Sequence, residues 1–297
     1  MRYIKKHDIR SILKESSLPR LETEILASFL LGQSREYLLT HPETGISHAL
    51  YGRYKNLETK RLEGWPIAYL TGQKEFYGLS FKVNPAVLTP RPETEMMVEE
   101  IIAAAKRDKS KKAPLIVDLG TGSGAIIVAS ATELRKLSPA LFMKTKFMAV
   151  DISRQALNIA KENSLAHKLG RRIEFFHGNL LTPLKLNERK LAGRHLIIAA
   201  NLPYLTKSQI KDSPSIQREP KLALDGGPGG LRYYKELFRQ LADLELSGIH
   251  ADILCEIDPA QTVKIRSLIK KYLPQAELKI KKDLSRKDRL AIIQKAG

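Results

Sequence analysis

Three short segments of this chain carry residue types suited to chemistry at a nitrogen atom. The first is Asp118-Leu119-Gly120-Thr121-Gly122-Ser123-Gly124, which follows an apolar run and precedes a helical pattern from Ala125. Glycines at such a junction let a ligand approach the backbone closely and take φ values that other residues avoid. The second is Asp151, at the end of the next apolar run, where a carboxylate can accept hydrogen bonds from both hydroxyls of a ribose. The third is Asn201-Leu202-Pro203-Tyr204, directly after the run Leu196-Ile197-Ile198-Ala199-Ala200. An amide nitrogen is a poor nucleophile because its lone pair is delocalised into the carbonyl. Two acceptors holding its N–H bonds, here the Asn201 side-chain oxygen and the Leu202 backbone carbonyl, aim that lone pair at an electrophile. They also stabilise the positive charge that develops on nitrogen. Pro203 restricts Leu202 to extended geometry, and Tyr204 offers a flat face to a planar group. No carboxylate base is required, because the nitrogen becomes acidic once it is methylated.

The glycine spacing narrows the cofactor. Gly120, Gly122 and Gly124 read G-x-G-x-G and not the G-x-G-x-x-G of dinucleotide folds, and no G-x-x-x-x-G-K-[ST] phosphate loop occurs. Hydride transfer and nucleotide triphosphate hydrolysis therefore fit poorly. An aspartate opening the turn suits the cationic amino-acid moiety of S-adenosylmethionine, which a pyrophosphate lacks. The plain alternatives are a glycine-rich turn that binds nothing and a strand-to-loop junction that Asn201 and Pro203 merely punctuate.

The elements that must hold these segments alternate. A helix over residues 96–105 leads to a strand at 115–117, a helix from Ala125, a strand at 146–150, a helix over 155–167, and strands at 172–176 and 196–200. A helix over 231–244, a strand at 252–257, a helix over 263–272 and two late strands near 278–280 and 290–293 complete the pattern. Strands alternating with helices of this length specify a parallel sheet covered on both faces. Ligands bind beyond the C-terminal ends of its strands, so one sheet edge collects the glycine turn, Asp151 and Asn201.

The earlier residues read as helices. Leu21, Ile25, Leu26, Phe29 and Leu30 recur on one helical face stopped by Gly32; a short helix fits 36–39 and a third 48–63, with Leu50, Tyr54, Leu57 and Leu62 as its apolar stripe. Residues 74–77 and 80–83 read as two strands around a turn at Gly78-Leu79, and Asn84-Pro85 and Thr89-Pro90-Arg91-Pro92 punctuate a linker. The chain thus divides into a helical domain over 1–72, a β-hairpin and linker over 73–92, and an α/β domain over 93–297.

Composition excludes several function classes. With 297 residues, 43% hydrophobic and 28% charged, the chain is globular and neither disordered nor fibrous. No apolar run approaches the roughly 18–20 residues of a membrane span, and the polar start, Met1 to Asp8, argues against a secretory signal, so a cytoplasmic chain is expected. Cys255 is the lone cysteine, which rules out an internal disulfide, and the histidines show no metal-ligand spacing, so no metal is expected. Without a heptad or a second cysteine, a monomer is the simplest expectation. The net charge of +18 raises encounter rates with anionic partners such as RNA or ribosomes, unless the excess lysines only solvate a surface. Cys255 reads as a small core side chain; Glu256 and Asp258 either line the cleft or serve the structure; Arg91 either reaches a carboxylate or cofactor across the cleft or positions the linker.

Arg91-Pro92-Glu93-Thr94-Glu95, the 118–124 turn, Asp151 and Asn201-Leu202-Pro203-Tyr204 occur in the order seen in the HemK-type glutamine N5-methyltransferases of peptide chain release factors, which the chain resembles. The segment Ala68-Tyr69-Leu70-Thr71-Gly72, with Glu75-Phe76-Tyr77-Gly78-Leu79 after it, is similar to the stretch that joins their helical and catalytic domains. Glu219-Pro220, Ala223-Leu224-Asp225-Gly226-Gly227 and Gly230-Leu231 resemble their downstream loop. The resemblance runs from about Leu21 to Gln261. It implies an α/β fold with a seven-stranded, doubly wound methyltransferase sheet whose last strand is antiparallel, preceded by a helical substrate-recognition domain. It also implies that Asp118, Gly120, Thr121, Gly122, Ser123, Gly124 and Asp151 bind S-adenosylmethionine with Asn201, and that Asn179 and Leu180 lie beside the adenine. The substrate implied is the glutamine of a Gly-Gly-Gln loop, held by Asn201, Leu202, Pro203 and Tyr204.

Two departures stand out. At Asn179 and Leu180 the family more often has an acidic residue and an aromatic. At Leu202 it usually has proline; leucine keeps the backbone carbonyl and loses rigidity. Asn-Leu-Pro-Tyr is also the form found in ribosomal RNA adenine N6-dimethyltransferases, whose target is likewise a conjugated NH2 group, which with the basic charge makes RNA methylation the rival reading. Residues 1–92 favour the glutamine enzyme, since an RNA dimethyltransferase has no reason to carry them.

Overall fold

Capping residues set the starts of the first helices. The structure, a computed structural model, describes residues 7–108, 112–185, 191, 193–244 and 249–295. Its smaller unit ends at Gln73 and takes in Ser213–Arg218. It contains β1 (His7–Asp8), α1 (Ile9–Glu15), α2 (Arg20–Leu31), α3 (Arg35–Thr40), β2 (Gly45–Ile46), α4 (His48–Leu62) and α5 (Ile67–Thr71). Asp8 opens α1 with a capping box to Ser11, while Ser34 and Ser47 cap α3 and α4 through their hydroxyls; each cap satisfies an amide that the helix leaves orphaned. Ile9, Ile12, Leu26, Ala27, Leu38 and Tyr54 form the core. The buried carboxylate of Glu24 is held by Arg20 and Arg35.

The core face of α2 differs from the expected stripe. Leu21 and Phe29 are exposed, at 53% and 44%, and the buried side is Thr23, Leu26 and Ala27. Small residues let neighbouring helices approach there, which a count of large apolar side chains does not register. Helices α1 and α5 escaped the sequence pattern because seven and five residues are too few to show a period.

The hairpin consists of β3 (Gln73–Phe76) and β4 (Leu79–Lys82). Its turn is Tyr77-Gly78, one residue earlier than expected, with φ of 52° and 68°. Two central residues of positive φ match the twist of paired strands, as two-residue hairpin loops require.

The larger unit, Lys74–Asp212 with Glu219 onward, is built on one sheet. Its strands are β5 (Lys112–Leu119), β6 (Lys146–Asp151), β7 (Ile173–His177), β8 (Arg194–Ala200), β9 (Ala251–Glu256), β10 (Glu277–Lys282) and β11 (Asp288–Lys295), in the order β10-β11-β9-β8-β5-β6-β7. β5, β6, β7, β8 and β9 pair in parallel, and β11 runs antiparallel to both its neighbours. This is the seven-stranded sheet with an antiparallel last strand that the resemblance implies. Alternation along β5 sends Leu115, Val117 and Leu119 to one face and Ile116 to the other. On the first face lie α12 (Arg232–Asp243) and α13 (Thr262–Tyr272); on the second lie α6 (Glu95–Arg107) and α7 (Ala125–Leu137), and between α7 and α12 in the chain come α8 (Pro139–Lys144), α9 (Arg154–Ala166), α10 (Thr182–Lys185) and α11 (Lys207–Lys211). Both faces being covered, the strands read as continuous apolar runs.

Strand order reverses between β5 and β8. Leu119 is level with Val150 and with Ala200, and Ala200 with Cys255. The next residue on each strand therefore falls in one row at the sheet edge: Gly120, Asp151, Asn201 and Glu256. That row is the C-terminal edge where doubly wound sheets bind ligands.

Candidate active site

The glycine turn is tied to β6 before any ligand is considered. The Gly120 and Thr121 amides both donate to the Val150 carbonyl, at 2.8 and 3.1 Å, and the Gly122 amide donates to Asp151 Oδ2 at 2.9 Å. Gly120, Gly122 and Gly124 have φ of 69°, 55° and 79°, the left-handed region where an L side chain is strained. A Cβ on Gly124 would also stand 3.0 Å from Ala160 Cβ, on α9 (Arg154–Ala166).

Asp151 spends one lone pair of each oxygen on the backbone, Oδ1 on Ser153 and Oδ2 on Gly122. The remaining lone pairs can accept from a ligand. Burial pushes its pKa up, and the Ser153 and Gly122 amides oppose that shift. Asp118 lies fully buried beneath the turn, where Oδ2 accepts the Thr121 hydroxyl at 2.6 Å and Oδ1 has no hydrogen-bond partner within 3.5 Å among the described residues. Burial pushes its pKa up to about 7.

Asn201-Leu202-Pro203-Tyr204 meets this turn directly, since Leu202 Cδ2 sits 3.2 Å from where a Cβ on Gly120 would be. The two segments share the wall of a cavity of about 380 Å³, within the range of small-molecule sites. The wall includes Gly120, Thr121, Gly122, Ser123, Asp151, Asn179, Leu180, Asn201, Leu202 and Pro203. Asp118, Gly124 and Tyr204 are not on it. Leu180 has a φ of 52° and buries its side chain in the core with Leu181 and Leu184, while Asn179 is exposed.

Behind the tetrapeptide, Thr94 and Glu256 are joined to it by hydrogen bonds that no sequence spacing shows. The Asn201 side-chain Nδ2 donates to Thr94 Oγ1 at 3.1 Å, and the Thr94 hydroxyl donates to Glu256 Oε2 at 2.6 Å. The Tyr204 hydroxyl donates to Glu256 Oε1 at 3.1 Å; burial and that carboxylate both push the tyrosine pKa up. The Tyr234 hydroxyl donates to the Glu256 carbonyl oxygen. Glu256 is thus a structural acceptor behind the cavity and not part of its wall. Arg91 does reach a carboxylate: its Nη2 is 2.5 Å from Oε2 of buried Glu219. The one signal for Thr94 lay in its place in Arg91-Pro92-Glu93-Thr94-Glu95, and no spacing connects it to a glutamate 162 residues away.

At the opposite ends of β8 and β9, among the described residues, ligand atoms of His195, His250 and Asp252 lie within 4.8 Å of one another, a grouping absent from the sequence spacing. Asp252 is already engaged there: His195 Nε2 is 2.8 Å from its Oδ2 and Gln294 donates to its Oδ1 at 2.6 Å.

A family model described as the PrmC N-terminal domain matches residues 7–72. A release factor glutamine methyltransferase of Bacillus subtilis is 34% identical over 282 residues, covering 94% of this chain and 92% of that protein. One from Enterococcus faecalis is 38% identical over 238 residues, covering 78% and 77%. Among solved structures, the hMettl16 catalytic domain bound to a 3′UTR hairpin aligns with a TM-score of 0.54 at 12% identity, covering 91% of this chain and 90% of that one, which shows a shared fold. Identity at this level along nearly the full length of both chains means that this protein belongs to the release factor glutamine methyltransferase family.

Proposed function

We propose that this protein transfers the methyl group of S-adenosylmethionine to the side-chain nitrogen, N5, of the glutamine in a Gly-Gly-Gln loop of a peptide chain release factor. The observation that carries the reading is the shared cavity wall of the glycine turn and Asn201-Leu202-Pro203. The residues present fit the cofactor: a close-approach glycine backbone, Asp151 with lone pairs to spare for ribose hydroxyls, and the unpartnered buried Oδ1 of Asp118 below. Asp118 is off the wall, so in this reading it attracts the cationic amino-acid moiety through the turn and shapes the turn by holding Thr121. Asn179 and Leu180 border the adenine end.

S-adenosylmethionine supplies an electrophilic methyl on a sulfonium. Asn201 Oδ1 and the Leu202 carbonyl accept the two N–H bonds of the substrate amide and turn its lone pair toward that carbon. Transfer of that methyl to the lone pair would leave the glycine turn and Asp151 holding S-adenosylhomocysteine. The methylated nitrogen then loses a proton to water, and the amide resonance returns. Pro203 keeps Leu202 extended, and Tyr204 flanks the planar carboxamide.

In the same reading, residues 1–72 recognise the release factor, 73–92 form the linker and 93–297 the catalytic domain. The enzyme works as a monomer in the cytoplasm, where release factors act, and the basic surface assists any encounter with the ribosome. RNA methylation is the second reading, favoured by Leu202 and the +18 charge. A labelling assay with methyl-labelled S-adenosylmethionine, a release factor and ribosomal RNA offered together decides between them. Label is expected in the Gly-Gly-Gln glutamine; label in RNA alone would reverse the assignment.

A further inference from the structure

A carboxamide presents two ends of nearly equal size and opposite hydrogen-bonding sense. If Asn201 is to hold substrate N–H bonds, its oxygen must face the cavity, because its NH2 end would meet the substrate donors with donors of its own. Something in the fold has to choose between the two rotamers. The Thr94 hydroxyl has a single proton, and Glu256 Oε2 accepts it across 2.6 Å. The other Glu256 oxygen accepts from Tyr204. Thr94 Oγ1 is left with lone pairs only, and the group it can receive from Asn201 is the NH2, seen at 3.1 Å. Both Thr94 and Glu256 are buried, at 3% exposure each, so water does not compete for these bonds. Thr94 is placed by the short 3-10 turn Pro92–Thr94, whose last amide donates to the Arg91 carbonyl at 3.1 Å.

We propose that Thr94 and Glu256 are positioning residues: the relay Glu256–Thr94–Asn201 fixes the Asn201 carboxamide with its oxygen toward the reacting nitrogen. The inference rests on the role given to Asn201 above, and its test separates the two. Thr94→Val keeps the shape and removes the relay; Thr94→Ser keeps the hydroxyl. With release factor as acceptor, Thr94→Val should lower kcat about 10- to 100-fold, the scale of a misplaced reacting group. Its Kd for S-adenosylhomocysteine should stay within about 2-fold of the parent, and Thr94→Ser should recover most of the lost kcat. Full kcat in Thr94→Val alongside an inactive Asn201→Ala overturns the relay and leaves the site reading standing. Full activity in Asn201→Ala overturns the site reading itself. Should Thr94→Val not fold, Glu256→Leu answers the same question. It removes the acceptor, which frees the Thr94 proton to turn toward Asn201 and favour the wrong rotamer. A Glu256→Leu protein with parental kcat would likewise overturn the proposal.

Discussion

The Gln261 side chain donates to the Tyr204 carbonyl oxygen across 2.7 Å, clamping the end of the tetrapeptide from the start of α13. The loop containing Gly226 and Gly230 presses on the same backbone. A Cβ on Gly226 would stand 2.6 Å from the Pro203 carbonyl oxygen, and one on Gly230 would overlap that of Tyr204. This support holds the carbonyl-bearing segment in place independently of its own sequence.

Gly230→Ala should therefore destabilise the protein by roughly 2–4 kcal/mol, combining a positive-φ alanine with a steric clash. Gly229, with a φ of 67°, has only Lys264 Nζ nearby among the described residues, at 3.8 Å, so Gly229→Ala should cost only about 1 kcal/mol. Thermal or urea unfolding of the two variants side by side checks the contrast, and equal losses would contradict it.

In the role proposed for Asn201, Asn201→Ala removes an acceptor from the reacting nitrogen while leaving the glycine turn intact. A loss of roughly 100- to 1000-fold in kcat is expected, the usual scale for a group that acts on developing charge. Calorimetry with S-adenosylhomocysteine should show near-parental binding, which distinguishes lost chemistry from lost structure.

Asp118 ties stability to pH. Its pKa is raised to about 7 in the fold from an ordinary value of 3.8, so between these values the folded chain keeps a proton that the unfolded chain has released. That contribution to stability falls as pH rises from about 4 to about 7 and is constant above. Asp118→Asn has no such slope. The variant's stability relative to the parent should climb across that window, on the order of 1.4 kcal/mol per pH unit. Urea unfolding at pH 5, 6, 7 and 8 measures it, and a difference that shrinks with pH would refute the assignment.

Arg91 and Glu219 give the opposite test. Burial pushes the Glu219 pKa up and Arg91 opposes that, its guanidinium half in solvent at 37% exposure. Arg91→Met strands the carboxylate, at a cost of about 1–3 kcal/mol once solvent screening of the pair is allowed for. The loss should be larger at pH 8, where Glu219 must stay charged or bind a scarce proton, than at pH 5. Adding Glu219→Gln should remove most of that pH dependence.

Much of the molecule was legible in the sequence because its signals are local. A glycine turn after an apolar run, and Asp151 and Asn201 each directly after another, need only strand periodicity to be placed at one sheet edge. The order of helices and strands sufficed for a doubly wound sheet, and the resemblance supplied its antiparallel last strand. Helix faces and turns were less secure: Leu21 and Phe29 look outward from α2, and the hairpin turns at Tyr77-Gly78, because packing partners decide which side of an amphipathic segment is buried. What only the tertiary structure decided is the support behind the site. Glu256, Thr94 and Asn201 come from β9, the start of α6 and the end of β8, and one-residue strand register makes them neighbours. Hydrogen bonds act over 3 Å whatever the distance along the chain, so a relay of this kind leaves no spacing to be read.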